Sequence, residues 1–314
     1  MENKKRLVII MDYLKENSNE QHKVTSEEIM SYLNKAYGIT SNRKTIYSDI
    51  NALISLGFNI ERGNQGFFWD GSIFDVTELR IVTDAIRSAS FLSLKKTEMM
   101  IDKIGHLCNK YDRQLVKEGS YLNVKTDNEQ VLYNIYTILE AIHDHQAITF
   151  SYFDIGIDKE KIFRDHDYNV FPLDLLVNHG RYYMVCYSKK YDSLSNYRVD
   201  KMEQVEVLEE YIGKVAFDVN DYMQQTFGMF STEKRNVKLK CDKRLIDEIY
   251  SRFGENLIIT DIDGDDYYFN VDISASEPFY GWLFAYNGKI TIISPKEIKD
   301  EFIDMCKKAI ELHK

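Results

Sequence analysis

Two arginines and a run of tyrosines crowd the middle of the chain, in Gly180-Arg181-Tyr182-Tyr183-Met184-Val185-Cys186-Tyr187 and again in Tyr197-Arg198-Val199-Asp200-Lys201. Guanidinium groups grip phosphate through paired hydrogen bonds, and flat aromatic rings stack on bases. Strand alternation puts Arg181 and Tyr183 on one face, opposite Tyr182 and Met184. With Tyr152, His179 and Arg198 they make a candidate ligand site for a single-stranded nucleic acid or a nucleotide. Taken singly, each tyrosine is equally at home in a barrel core.

A second candidate surface lies near the N-terminus. Ser41 is expected to cap a helix in which Ile46, Ile50 and Leu53 share one face and Arg43, Lys44, Tyr47, Ser48 and Asn51 another. Arg43 and Lys44 stand in the first turn, where the helix dipole disfavours cations by about 0.3 to 1 kcal/mol each. An anionic partner reverses that cost, and phosphates and guanine edges lie where a recognition helix enters the major groove. Residues 58–62 and 66–69 read as a hairpin, a wing that carries Arg62. These six polar residues are the candidate DNA contacts.

The elements that must hold these residues are legible from periodicity. A first helix spans about 4–16, and a second opens with Thr25-Ser26-Glu27-Glu28, a capping box. Beyond the hairpin, a helix over about 77–90 precedes a longer one over about 95–117. In the longer helix Ile101, Ile104, Cys108, Tyr111 and Leu115 are spaced as a short coiled-coil seam, for packing within the chain or for a dimer contact. An amphipathic helix through Val131, Ile135, Ile138 and Ile142 leads into strands at 147–153, 171–177, 181–188 and 195–200, the rhythm of a small antiparallel barrel. From Val237 the order is strand, helix, strand, strand, helix, strand, a ferredoxin-like pattern closed by a helix from Pro295.

Composition narrows the function classes. The 314 residues exceed one hydrophobic core, and 29% charged with 44% hydrophobic residues describes a folded chain. The net charge of −10 opposes nucleic-acid binding, but residues 1–70 carry nine basic and nine acidic groups, so the excess lies in 71–314. The apolar run Leu7 to Met11 is too short for a signal peptide or a membrane span, which implies a cytoplasmic protein without membrane contact. Cys108, Cys186, Cys241 and Cys306 form no Cys-x-x-Cys pair, and no metal ligand set, cofactor motif or catalytic constellation is expected. His143-Asp144-His145 lacks metal-site spacing, and Asp261 to Asp266 lacks the register of a calcium loop.

Two stretches carry a family resemblance. Ser41 to Leu53 with Leu56-Gly57-Phe58-Asn59-Ile60 resembles the winged helix-turn-helix of WYL-domain transcription regulators, with Ser48 where those regulators usually carry arginine. Phe171-Pro172-Leu173, then Asn178 to Tyr187, then Tyr197 to Met202 resembles the WYL domain, whose naming triplet stands here as Tyr182-Tyr183-Met184. Tyr168 occupies the place, four residues before the proline, of an arginine common in the family. The C-terminal segment, including Gly281 to Gly288, is similar to the extension that follows WYL domains.

The resemblance implies an α+β multidomain chain: a winged helix-turn-helix at 1–70, a helical linker at 71–128, a small SH3/Sm-like WYL barrel at 129–212 and a ferredoxin-like WCX-type domain at 213–314. It implies a non-enzymatic, homodimeric regulator of operator DNA whose barrel senses an oligonucleotide or nucleotide. Two rivals stand beside it, a nucleic-acid or protein binding module without gene control and a metal-dependent nuclease or phosphodiesterase.

Overall fold

The computed structural model describes every residue except 1, 64, 121–124, 127, 214, 216, 220, 221, 224, 225 and 228–233. The chain divides into two compact units, Met1–Glu129 and Gln130–Lys314.

The first unit begins with helices α1 (Glu2–Asn17), α2 (Ser26–Tyr37) and α3 (Arg43–Ser55) and a hairpin of β1 (Ile60–Gly63) and β2 (Gly66–Trp69). Ile10, Leu14, Ile29, Leu33, Ile46, Ile50, Leu53, Ile60 and Phe67 form one core, so the apolar face expected of α3 is the buried one. The Thr25–Glu28 capping box is present. The cap of α3 is Asn42 rather than Ser41: its Oδ1 accepts from the Thr45 N–H at 2.9 Å, which satisfies a donor left free by the helix start. Arg6 on α1 forks onto the buried Asp49 of α3 through Nε (2.5 Å) and Nη2 (3.1 Å), tying the first helix to the third. The hairpin docks through paired Val24 and Phe67 hydrogen bonds (2.8 and 2.9 Å). At Gly66 a Cβ would fall 2.4 Å from the Val24 carbonyl oxygen, so only glycine admits this approach.

The helix expected over 95–117 is two helices, α5 (Leu94–Gly105) and α6 (Arg113–Lys117), after α4 (Val76–Ser88). Asn109 causes the break. Its side-chain oxygen accepts the N–H groups of Tyr111 (2.9 Å) and Asp112 (3.1 Å), a local alternative to the helix ladder, and Arg113 Nε closes the turn on the Gly105 carbonyl at 3.0 Å. Cys108 and Val116 then pack on Leu79, Tyr111 stacks on His22 at 3.8 Å, and Leu115 is left 54% exposed. The seam expected through 101–115 is therefore not continuous, and no coiled-coil contact rests on it.

The second unit opens with α7 (Gln130–Asp144), followed by β3 (Gln146–Ile155), β4 (Lys161–Phe163), β5 (Tyr168–Asn178), β6 (Arg181–Ser188), β7 (Ser193–Arg198) and, after a 3-10 turn (Val199–Lys201), β8 (Met202–Tyr211). The strands run in the order β4-β3-β5-β6-β7, with β8 also on β3, and every pairing is antiparallel. The long β3 is shared: residues 146–152 pair with β8, 148–150 with β5 and 153–155 with β4. A sheet that exchanges partners along one strand curls, and β4 and β8 lie outside the strands expected from sequence. Buried Asn134 of α7 donates to the Met202 carbonyl (2.9 Å) and fixes the helix against the start of β8.

The remaining elements are β9 (Lys234–Asp242), α8 (Ile246–Phe253), β10 (Ile259–Asp263), β11 (Asp266–Ser274), α9 (Glu277–Ala285), β12 (Ile290–Ser294) and α10 (Lys296–Leu312). Their sheet has the order β10-β11-β9-β12, all antiparallel, with Val237, Leu239, Cys241, Phe269, Ile273, Phe279 and Ile292 in its core. Among the described residues no helix is long and apolar enough to cross a membrane.

Candidate nucleic-acid and ligand sites

On α3 the helical period sets Arg43, Tyr47 and Asn51 in one row and Lys44 and Ser48 in the next. Arg43, Lys44, Ser48 and Asn51 are exposed, while Tyr47 is half-buried with its ring edge against Phe67, 5.1 Å between centroids. The Arg43 guanidinium carbon lies 5.7 Å from the centre of the Tyr47 ring. No acidic residue occupies the first turn of α3, in contrast to Glu27 and Glu28 on α2. Arg62 donates to Asn51 Oδ1, which joins the hairpin to the exposed face of the helix. Arg43, Tyr47 and Arg62, with Thr25 to Glu27 at the head of α2, line a cleft of about 220 Å³.

In the second unit, strand register places Tyr183 opposite Arg198. Asp200, on the 3-10 turn just beyond β7, receives both arginines: Arg198 through Nε (3.1 Å) and Nη2 (2.7 Å), Arg181 through Nη1 (2.8 Å). The Asp200 side chain is 10% exposed against 29% for Arg198 and 36% for Arg181, so the carboxylate is the floor and the cations are the rim. Burial penalises the Asp200 charge, yet hydrogen bonds and charge from Arg198, then charge from Arg181, outweigh it and hold its pKa below the usual carboxylate range. Two guanidinium groups on one carboxylate leave a site with one net positive charge on a partly exposed rim, the requirement for an anionic ligand.

Tyr152, a candidate ligand residue, is placed in the aromatic packing of the sheet. It is buried, packs edge-on against Phe150, Tyr168 and Tyr197, and its hydroxyl accepts the Arg198 backbone N–H at 3.3 Å. Burial pushes its pKa up to about 12, so the phenol stays protonated. Tyr183 is half-buried and packs beside Val185 and Tyr222. His179 stands two residues before Arg181, in the turn that leads into β6. It is exposed in the Asn178–Arg181 turn with φ 47°, followed by Gly180 at 71°, the two positive angles a tight hairpin requires.

The structure adds residues that sequence reasoning passed over. Asp154 on β3 accepts Lys201 Nζ at 2.7 Å and Arg164 Nε and Nη2 at 3.2 Å each. Arg164 also donates to the Tyr168 hydroxyl at 3.2 Å and lies 4.8 Å over the Tyr152 ring. Asp200 lies within Tyr197 to Lys201, but its place between the arginines follows from the β6–β7 register. Arg164 is brought in by β4, which has no sequence signal of its own. Among the described residues no cluster of three or more His, Cys, Asp or Glu side chains is placed to hold a metal ion.

Residues 134–207 match the family model of the WYL domain, and residues 233–310 match that of the WCX domain. The chain therefore carries a WYL domain followed by a WCX domain, in the order the sequence suggested. No curated protein matches it. Among solved structures, proteasome accessory factor B/C (PafBC) of Arthrobacter aurescens is similar at 14% identity over 95% of this chain and 47% of its own, with a TM-score of 0.31. A CRISPR Cas-related protein is similar at 12% identity over 91% of this chain and 76% of its own, with a TM-score of 0.39. Our chain thus spans about half the length of the first, and neither likeness is close enough to carry an argument.

Proposed function

We propose that this protein is a DNA-binding transcriptional regulator whose WYL domain senses an oligonucleotide or nucleotide and alters operator affinity. Residues 1–70 act as a winged helix-turn-helix, 71–128 as a helical linker, 129–212 as an SH3/Sm-like sensing barrel and 213–314 as a ferredoxin-like WCX domain. The β10-β11-β9-β12 order with two crossing helices supports the last assignment. Arg43, Lys44, Tyr47, Ser48, Asn51 and Arg62 contact DNA. Arg181 and Arg198 hold the ligand, with Tyr183 beside Arg198 and His179 at the adjoining turn, while Tyr152 positions Arg198 from beneath. The protein works as a homodimer in the cytoplasm, since a palindromic operator requires a two-fold reader.

The observation that carries this reading is the order of parts: a helical unit with an exposed, basic first turn on α3, then a WYL domain with two arginines on one carboxylate. The test is selection of random duplex DNA on the full chain, then affinity of the enriched sequence for wild type and Arg43→Ala at one salt concentration. A palindrome whose binding weakens by about 1 to 3 kcal/mol in the variant supports the reader. Absence of an enriched sequence both with and without short oligonucleotides present removes gene control from the proposal.

A further inference from the structure

We infer that Arg164 and Lys201 form a second anion subsite beside the Arg181–Arg198–Asp200 cluster, so that the central sheet grips two consecutive phosphates of one strand rather than the single phosphate of a mononucleotide. The inference rests on the sensing role proposed above and narrows its ligand to an oligonucleotide.

Charge and geometry lead to it. Each cluster sets two cations on one carboxylate, Arg181 and Arg198 on Asp200, Arg164 and Lys201 on Asp154, and each is left with one net positive charge. Tyr152 joins them: its hydroxyl meets the Arg198 backbone N–H, and its ring lies beneath the Arg164 guanidinium at 4.8 Å. The charges of Arg198 and Arg164 both act on the Tyr152 phenol, so the two clusters border one side chain, and a strand with successive phosphates can engage both where a lone phosphate engages one.

The bond lengths say which cation is available. Lys201 is held to Asp154 at 2.7 Å and Arg198 to Asp200 at 2.7 Å, the range of strong charge-assisted bonds. Arg164 makes three bonds of 3.2 Å, two of them to a single oxygen of Asp154, and its side chain is 44% exposed. A phosphate offers that fork two oxygens in place of one and leaves Lys201 to neutralise Asp154. The cation–π contact of Arg164 with Tyr152 retains the guanidinium while its hydrogen bonds change partner. Beside it the rings of His166 and Tyr168, 4.4 Å apart, give a base an aromatic surface.

The test is calorimetric titration of the full chain with a 5′-phosphorylated deoxydinucleotide and with a deoxymononucleotide, for wild type, Arg164→Ala, Arg164→Lys and Arg198→Ala, at several salt concentrations. Wild type is expected to bind the dinucleotide about tenfold tighter, a difference of about 1.4 kcal/mol. Arg164→Ala should erase that advantage, leave the mononucleotide within about twofold, and lower the slope of log affinity against log salt by about 0.7, the loss of one single-strand phosphate contact. Arg164→Lys should keep most of the slope. If Arg164→Ala changes neither affinity nor slope while Arg198→Ala abolishes binding, the second subsite is wrong and the sensing role stands. If wild type binds neither probe, or Arg198→Ala binds as wild type does, the sensing role fails and the subsite with it.

Discussion

Asp200 is one carboxylate between two guanidinium groups, and its charge accepts three hydrogen bonds from them. Its folded pKa lies below the ordinary carboxylate value, so the unfolded chain binds more protons and the stability it contributes is present above about pH 4. That contribution disappears as pH falls through the folded value. Replacing it, Asp200→Asn, is expected to lower stability at pH 7, and the gap to wild type should close below about pH 4. Urea midpoints from pH 7 to pH 2 measure this, and a gap that does not change with pH would mean the charge is not what retains the arginines. The residue types at this site were legible in the sequence, because strand alternation is local. Asp200 and Arg164 were not, because a carboxylate beneath two arginines and a guanidinium over a tyrosine are products of register between strands.

At the scale of elements most short-range signals held, although the cap of α3 falls on Asn42 rather than Ser41, and the long helix over 95–117 did not. The Thr25–Glu28 box and the Ile46, Ile50 and Leu53 face of α3 came out as the sequence implied, since each is closed within one or two helical turns. The 95–117 helix broke because Asn109 competes for backbone N–H groups and the chain beyond it is captured by buried Arg87. That arginine, 3% exposed, donates to the carbonyls of Val116 (3.1 Å) and Lys117 (2.7 Å) and to Asp84 (2.7 Å). Gly119, at φ 144°, leaves room for it, as a Cβ there would come within 2.8 Å of the guanidinium carbon. Arg87→Met is expected to destabilise the first unit by about 1 to 3 kcal/mol, the cost of taking its donor from the Lys117 carbonyl, since Thr83 Oγ1 still reaches the Val116 carbonyl at 3.1 Å. Thermal unfolding measures it, and an unchanged midpoint would show that α6 is held by Val116 and Cys108 packing alone.

At the scale of the whole molecule, sensing and DNA reading are linked by reciprocity. If ligand on the WYL domain changes operator affinity by some factor, operator DNA must change ligand affinity by the same factor. Titrations of each ligand at saturating concentrations of the other check this, and an operator affinity unmoved by saturating dinucleotide would separate the two sites. By itself the sequence determined where the helices and most strands lie, that residues 1–70 carry none of the −10 excess, and which arginines and tyrosines share a strand face. These follow from periodicity, caps and composition, which act between near neighbours along the chain. Only the tertiary structure decided that Asp200 binds both arginines, that Tyr152 is buried among aromatic rings, and that Arg164 meets Asp154 and Tyr152 after β4. Those outcomes depend on burial and on contacts between residues up to 46 positions apart, as Tyr152 and Arg198 are, and no local pattern encodes them.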